Sequence, residues 1–266
     1  MKCLILNPKG GVAKTTVATQ LLAPYIYNRF SKSRVPVYSF DLHNDDVMVF
    51  KNSKVIEPHL YSKEKEISEL IDEMEFADNA VLDLGGNEST KMLLDSFAKT
   101  GTIGNFDLIV SPFGDSDADV SGTVEVYQRL KKEWDFTFLA VLSRACNMTD
   151  YEDQFFHYFG DKNGIVDGRS GLREKFDEKD QSFAVFPTDS ALVLSRVFGE
   201  TIYELSLKDR EKYLSLKEKA KKNHNKKDFI KANKILRFYE YCSNFTDTVL
   251  KTAFKTIDNL LANEND

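Results

Sequence analysis

The chain has 266 residues, 42% hydrophobic and 29% charged, with only 13 Gly and 6 Pro. That composition belongs to a folded globular protein and excludes collagen-like, low-complexity and disordered classes, and a chain of this length buries enough surface to need no disulfide or metal staple. The formal charge of −6 disfavours contact with phosphates or anionic lipid on average, so a nucleic-acid role must come from a local basic surface.

Six short apolar runs bounded by turn residues follow in order: Cys3-Leu6, Val35-Phe40, Ala80-Leu84, Phe106-Ser111, Phe136-Leu142 and Phe183-Phe186. Their length and Val, Ile, Leu and Phe content predict strands buried on both faces of a parallel sheet. Helical spacing lies between them. Thr16-Phe30 aligns Val17, Leu21, Leu22, Tyr25 and Ile26, Ile67-Phe76 aligns Ile67, Leu70, Ile71 and Met74, and Val120-Trp134 aligns Val120, Val124, Tyr127, Leu130 and Trp134. Strand and helix in alternation predict a doubly wound, mostly parallel α/β sheet. The polar stretch from about Asp161 to Asp180 reads as a surface excursion, and the chain after Asp189 reads as helical, with a break at Gly199 and a final amphipathic stretch through Phe245, Val249, Ala253, Phe254, Ile257 and Leu261. The division expected is an α/β core over 1–206 and a helical C-terminal extension over 207–266 packed on it as one domain.

Chemistry concentrates in Lys9-Gly10-Gly11-Val12-Ala13-Lys14-Thr15-Thr16, between the first strand and the first helix. There the glycines let backbone N–H groups approach phosphate oxygens, Lys14 supplies a cation to the terminal phosphates, and the Thr15 hydroxyl reaches a magnesium ion. The strict GxxxxGK[ST] spacing is not met, because Pro8 and Ala13 stand at its glycine positions. At a positive φ, alanine costs on the order of 1 kcal/mol against glycine.

The segment instead fits KGGxxK[ST], the deviant Walker A signature, and the chain resembles the ParA/MinD-type ATPases. The resemblance covers about residues 1–206 and implies a P-loop fold, bound ATP and Mg2+, and a homodimer formed on ATP binding, in which Lys9 reaches across to the partner's phosphates. Phe40-Asp41-Leu42-His43-Asn44-Asp45-Asp46 stands where the family has Asp-x-Asp-Pro-Gln. Asp41 matches the first aspartate, whereas His43 replaces the one that helps position water. His43 or Asp45 takes that role, or hydrolysis is slow. Ala80-Val81-Leu82-Asp83-Leu84-Gly85-Gly86 resembles the Walker B and switch II element, which adds Asp83 to Thr15 and Asp41 on the magnesium side. Phe186-Pro187-Thr188-Asp189 resembles the adenine-side loop, with Pro187 at the base, while Ser143-Arg144 replaces the family's Asn-Arg. Leu21-Leu22-Ala23-Pro24 and Asp83-Leu84-Gly85-Gly86-Asn87 resemble the plasmid-stability StbB branch, which implies plasmid maintenance or conjugation with a small DNA-binding adaptor protein as partner.

From Lys208 to Lys234 there are ten Lys and one Arg against four acids. This local excess is the footprint of a phosphate-contacting surface, and Lys217, Lys219, Lys221, Lys222, Lys226 and Lys227 are its candidate contacts to nonspecific DNA. A solvated lysine-rich helix gives the same pattern. The last residues, Asn263-Glu264-Asn265-Asp266, are acidic where an anionic bilayer favours Lys or Arg, so a membrane-targeting helix is disfavoured. Three scattered cysteines, Cys3, Cys146 and Cys242, four scattered histidines and no signal-like or spanning run predict a cytoplasmic protein with reduced thiols and no metal cluster, which on DNA would be nucleoid-associated. The function expected is slow, partner-stimulated ATP hydrolysis that times release from DNA or a partner in plasmid partition or stability. The rivals are a MinD-like membrane-cycling positioning ATPase and a weakly hydrolysing, nucleotide-gated binding module in conjugation.

Overall fold

A computed structural model describes residues 1–41, 45–161 and 170–262. Seven strands, β1 (Lys2–Ile5), β2 (Val35–Phe40), β3 (Ile56–Tyr61), β4 (Ala80–Leu84), β5 (Leu108–Phe113), β6 (Phe138–Ala145) and β7 (Phe183–Pro187), form one sheet in the order β3-β2-β4-β1-β5-β6-β7. Every pairing is parallel. The expected runs are there, within a few residues. Strand β3 is additional: its Glu57, Pro58 and His59 break the apolar pattern because it pairs only with β2, and an edge strand tolerates proline and one wet face.

Side-chain alternation along the strands splits the core into two layers. Cys3, Ile5, Val35, Val37, Val81, Val110 and Val141 face one layer, and Leu4, Leu6, Tyr38, Phe40, Leu82, Leu84 and Ile109 face the other. The first layer is covered by α1, which begins at Lys14–Val17 and continues through Ala18–Leu22, Ala23–Ile26 and Tyr27–Ser31 with two π-helical stretches. On the second layer lie α2 (Ile67–Phe76), α3 (Asn87–Thr100) and α4 (Asp117–Lys131). From β1 the chain moves toward the β3 edge through α1, and from β3 it returns toward β7 through α2, α3 and α4 on the opposite face. Right-handed crossovers require that arrangement. The sheet therefore reverses direction beside β1, and its switch point lies at the carboxyl end of β1.

After β7 come α5 (Ser190–Phe198), α6 (Ile202–Ser206), α7 (Glu211–Lys222), α8 (Lys226–Phe245) and α9 (Lys251–Ala262), with Thr246–Leu250 joining the last two as a wide π turn. Gly199 ends α5 at φ +66°, as its position predicted. Phe245, Val249, Ala253, Phe254 and Ile257 enter the same apolar layer as α1, so the C-terminal helices complete that face of the core. Tyr25 donates to Asp258 (2.9 Å), and Arg29 pairs with the same carboxylate (2.8 Å). The end of the expected surface excursion is packed instead. Phe176 stacks on Phe138 at 5.0 Å, and the buried Asp180 accepts from the Tyr127 hydroxyl (2.6 Å) and the Phe138 amide (3.2 Å) and pairs with Lys131 (3.0 Å). No helix among the described residues is long and apolar enough to cross a membrane.

Candidate functional site

At the switch point the chain leaves β1 through Asn7, whose fully buried side chain fixes the loop from below. Its amide donates to the Pro112 carbonyl and the Thr123 hydroxyl (both 2.9 Å), and its oxygen accepts the Lys9 amide (2.8 Å). Gly11 and Ala13 then take left-handed conformations, φ +78° and +68°. Alanine thus holds the strained position anticipated from its sequence place, immediately before α1. The Ser143 hydroxyl lies between the Val12 carbonyl (3.0 Å) and the Phe113 carbonyl (2.9 Å) and ties the loop to β5 and β6. That contact accounts for serine at position 143: the side chain points into the loop's foundation. A Cβ built on Gly10 or Gly11 would meet nothing within 4 Å, so the space over the loop is open.

Lys14 is buried at the start of α1, and its ammonium donates to the carbonyls of Asn7 (3.0 Å) and Lys9 (2.7 Å). Burial holds it below the usual lysine range, with Asp83 and Asp41 opposing. Thr15 donates to Oδ2 of Asp83 at 2.6 Å. Asp83, at the end of β4, is buried, and burial pushes its carboxyl up to about 7 against the Thr15 hydrogen bond and Lys14. Its second oxygen, Oδ1, is buried without a hydrogen-bond partner among the described residues. An orphaned carboxylate oxygen beside a threonine hydroxyl is a donor set of the hard oxygen type that magnesium takes, so these residues fit the ion. Gly85 lets this strand end close against Asp41: a Cβ there would lie 2.9 Å from the Asp41 Cγ and 3.0 Å from the Phe40 carbonyl oxygen.

A cleft of about 360 Å³ opens over the loop. Of the residues singled out from sequence, Gly10, Gly11, Ala13, Lys14, Thr15, Thr16, Asp41 and Pro187 line it. Val12 is buried beneath, and Asp83 lies behind Thr15. Asp45 is exposed and outside the lining, whereas its neighbour Asp46 is on the wall. His43 lies outside the described residues. Lys9 points away from the cleft and pairs with Asp119 at 2.5 Å and with the Ser116 hydroxyl at 3.1 Å, at the start of α4.

The far wall holds groups whose roles the sequence left undrawn. Arg196 of α5 forms an ion pair with Asp46 across the cleft, and Arg144 reaches the wall from a left-handed residue (φ +62°) at a bulge in β6. Gln154 pins that bulge, accepting from the Cys146 amide (2.8 Å) and donating to the Arg144 carbonyl (3.1 Å). The positive φ at Arg144 is a strained feature held by its surroundings, the kind of departure that accompanies a ligand wall. The six candidate lysines lie elsewhere, on the α7/α8 hairpin around residues 223–225. Five are exposed, Lys217 is half-buried over the Phe229 ring (5.7 Å), and none of the six forms an ion pair with another described residue.

No family model and no curated protein matches the chain. Solved structures do, among them MinD cell division proteins and McdA. The ATP complex of a McdA variant from Cyanothece is 13% identical over 88% of this chain and 95% of its own, with a TM-score of 0.46. The septum site-determining protein MinD of Pyrococcus horikoshii, complexed with Mg-ADP, is 13% identical over 90% and 94%, with a TM-score of 0.44. A structure assigned as a plasmid partition protein from Borrelia burgdorferi, bound to AMPPNP, is 12% identical over 72% and 88%, with a TM-score of 0.44. Likeness at this level carries no function by itself.

Proposed function

We propose that this chain is a ParA-like ATPase that binds ATP with magnesium, dimerises across the nucleotide, and uses slow hydrolysis to time release from DNA or a partner protein in plasmid partition or stability. The observation that carries the reading is the loop itself: Lys14 is buried and preset by two loop carbonyls beside a Thr15–Asp83 pair with a free buried oxygen. A phosphate chain laid over Gly10 to Thr16 offers Lys14 anionic oxygens in exchange for those carbonyls, and the amides at the start of α1 add their positive ends. Thr15, Asp83 and Asp41 would hold magnesium, which supplies charge neutralisation at the phosphates. Asp46 and Arg196 flank the cleft where the rest of the nucleotide would lie, with Pro187 on the base side.

Lys9 is the element that makes ATP a dimerising ligand. Its ammonium exchanges Asp119 in its own subunit for phosphate in the other, a swap between two charge-assisted contacts. Lys9→Ala is expected to bind ATP within a few-fold of wild type and to lose the ATP-dependent dimer in sedimentation velocity; a variant that still dimerises on ATP removes this role. The exposed hairpin lysines supply the nonspecific duplex contact, with a small DNA-binding adaptor as the further partner. Binding to a random-sequence duplex with ATP, ADP or no nucleotide, across a salt series, tests the cycle: tight, salt-sensitive binding with ATP alone supports it, and absence of binding in all three states removes DNA as the target.

A further inference from the structure

Helix α5 stands between the cleft and α8. Its first turn and inner side, Leu192, Val193 and Arg196, line the cleft together with Asp189, the residue that caps it. Asp189 does three things at once. One carboxylate oxygen accepts the Ala191 amide at 2.7 Å and so starts α5, the other accepts the Tyr241 hydroxyl from α8, and the residue itself forms part of the cleft wall. The carboxylate contact is strong enough to push the Tyr241 phenol up to about 12. At the other end of α5, Phe198 stacks on Phe238 of α8, with ring centroids 5.4 Å apart and planes 15° apart. Two anchors about one turn apart on α8 therefore grip both ends of the cleft-lining helix.

Helix α8 continues from these anchors to the basic hairpin. Tyr241 and Lys227 are separated by fourteen residues of unbroken helix, about 21 Å of rise. The hairpin is a rigid continuation of that rod: Ala220, Ala232 and Leu236 are buried between the helices, Tyr213 meets Tyr239 edge-on at 5.5 Å, and Asn225 caps α8 by accepting the Asp228 amide at 3.1 Å. Between these anchors α5 is lightly held: Val197, which is outside the cleft lining, is 78% exposed. A short helix with one face on a cleft and a partner helix gripping its two ends is the kind of element that can pass a displacement from the one to the other.

We infer that α5 transmits the occupancy of the cleft to the basic hairpin through the Tyr241–Asp189 hydrogen bond and the Phe198–Phe238 stack, so that nucleotide sets the presentation of Lys219 to Lys227. The inference rests on the nucleotide and duplex reading above and names the residues that regulate it. Tyr241 and Phe238 are positioning residues. By linkage, duplex tightens nucleotide by the same factor by which nucleotide tightens duplex.

Two variants of the full chain, Tyr241→Phe and Phe238→Leu, test this, with random-sequence duplex affinity measured in ATP and in ADP and hydrogen exchange followed over residues 211–234. Tyr241→Phe is expected to bind ATP without DNA within about twofold of wild type, while the ATP-over-ADP ratio of duplex affinity falls about three- to tenfold, the range such coupling residues show. By linkage, the duplex-induced tightening of ATP relative to ADP falls by the same factor, and the exchange measurement separates a lost relay from a merely destabilised helix, which would raise exchange over 211–234 in every nucleotide state. Phe238→Leu keeps an apolar contact and should give a smaller loss in the same direction. A nucleotide-dependent exchange change over 211–234 in wild type that disappears in Tyr241→Phe supports the inference even without DNA. Ratios and exchange changes within twofold of wild type in both variants overturn it while leaving the duplex reading intact. A wild type whose hairpin exchange responds to ATP but whose duplex affinity ignores it overturns the duplex reading alone.

Discussion

The loop at the end of β1 and the hairpin between α7 and α8 both present lysines, and they do so in opposite ways. Lys14 is buried and held by two carbonyls in a frame built by Asn7 and Ser143. The hairpin lysines are mostly exposed and unpaired with other described residues. A buried cation in a fixed frame discriminates geometry, because leaving it unmatched is costly. Exposed cations on a rod discriminate little beyond charge, and their effect is graded by salt. The first arrangement suits selection of a ligand by shape, the second contact with a charged surface.

The largest expected effect is at the loop. Lys14→Ala should weaken ATP binding on the order of 100-fold, the loss of charge-assisted contacts in a partly buried site; calorimetry within tenfold of wild type would place the phosphates elsewhere. Next comes the hairpin. Replacing Lys219, Lys221, Lys222, Lys226 and Lys227 with Gln should flatten the salt dependence of duplex affinity, by up to about 0.9 in the log–log slope for each lysine that contacts phosphate. An unchanged slope would break the contrast between the two regions.

Asp83 gives a third test, through pH. Its carboxyl sits at about 7 in the folded protein against an ordinary 3.8. Between those values the folded state keeps a proton that the unfolded state releases, so the stability of the nucleotide-free protein falls as pH rises from about 4 to about 7 and levels above it. Asp83→Asn should remove that part of the slope in urea titrations while abolishing magnesium-dependent tightening of ATP. A variant that retains the magnesium effect would move the ion off this carboxylate. Smallest is Ala13→Gly, which relieves the positive φ but adds unfolded-state entropy, for a net gain under about 1 kcal/mol or a few degrees in Tm.

The sequence carried the sheet and the loop because both are written locally. Apolar runs buried on two faces need no context to be recognised, and the turn from β1 to α1 needs its glycines and lysines in one stretch. Edge strand β3 was hidden because only one face is buried, so Glu57, Pro58 and His59 interrupt the run. The far wall was hidden for another reason. Arg196 and Asp46 meet from 150 residues apart, and Tyr241 and Asp189 from 52. No spacing rule links them until the helices are packed. Ser143 shows a third limit, since a residue that departs from a family pattern can have been recruited to hold backbone instead, here the carbonyls of Val12 and Phe113.

The helix that begins at Lys14 is closed over by residues made long after it. Tyr25 finds its hydroxyl partner Asp258 233 positions later, and Phe254, Ile257 and Leu260 share its apolar layer. At about 5 to 20 residues per second, that interval on a ribosome lasts on the order of ten to fifty seconds. Throughout it the loop between β1 and α1 is already synthesised while the outer face of its helix is bare. The nascent chain therefore carries an exposed apolar stripe beside an unfinished candidate site, and that face is closed only when α9 packs on it. A fusion or tag that displaces α9 would be felt first at Tyr25 and Arg29, near the opposite end of the sequence.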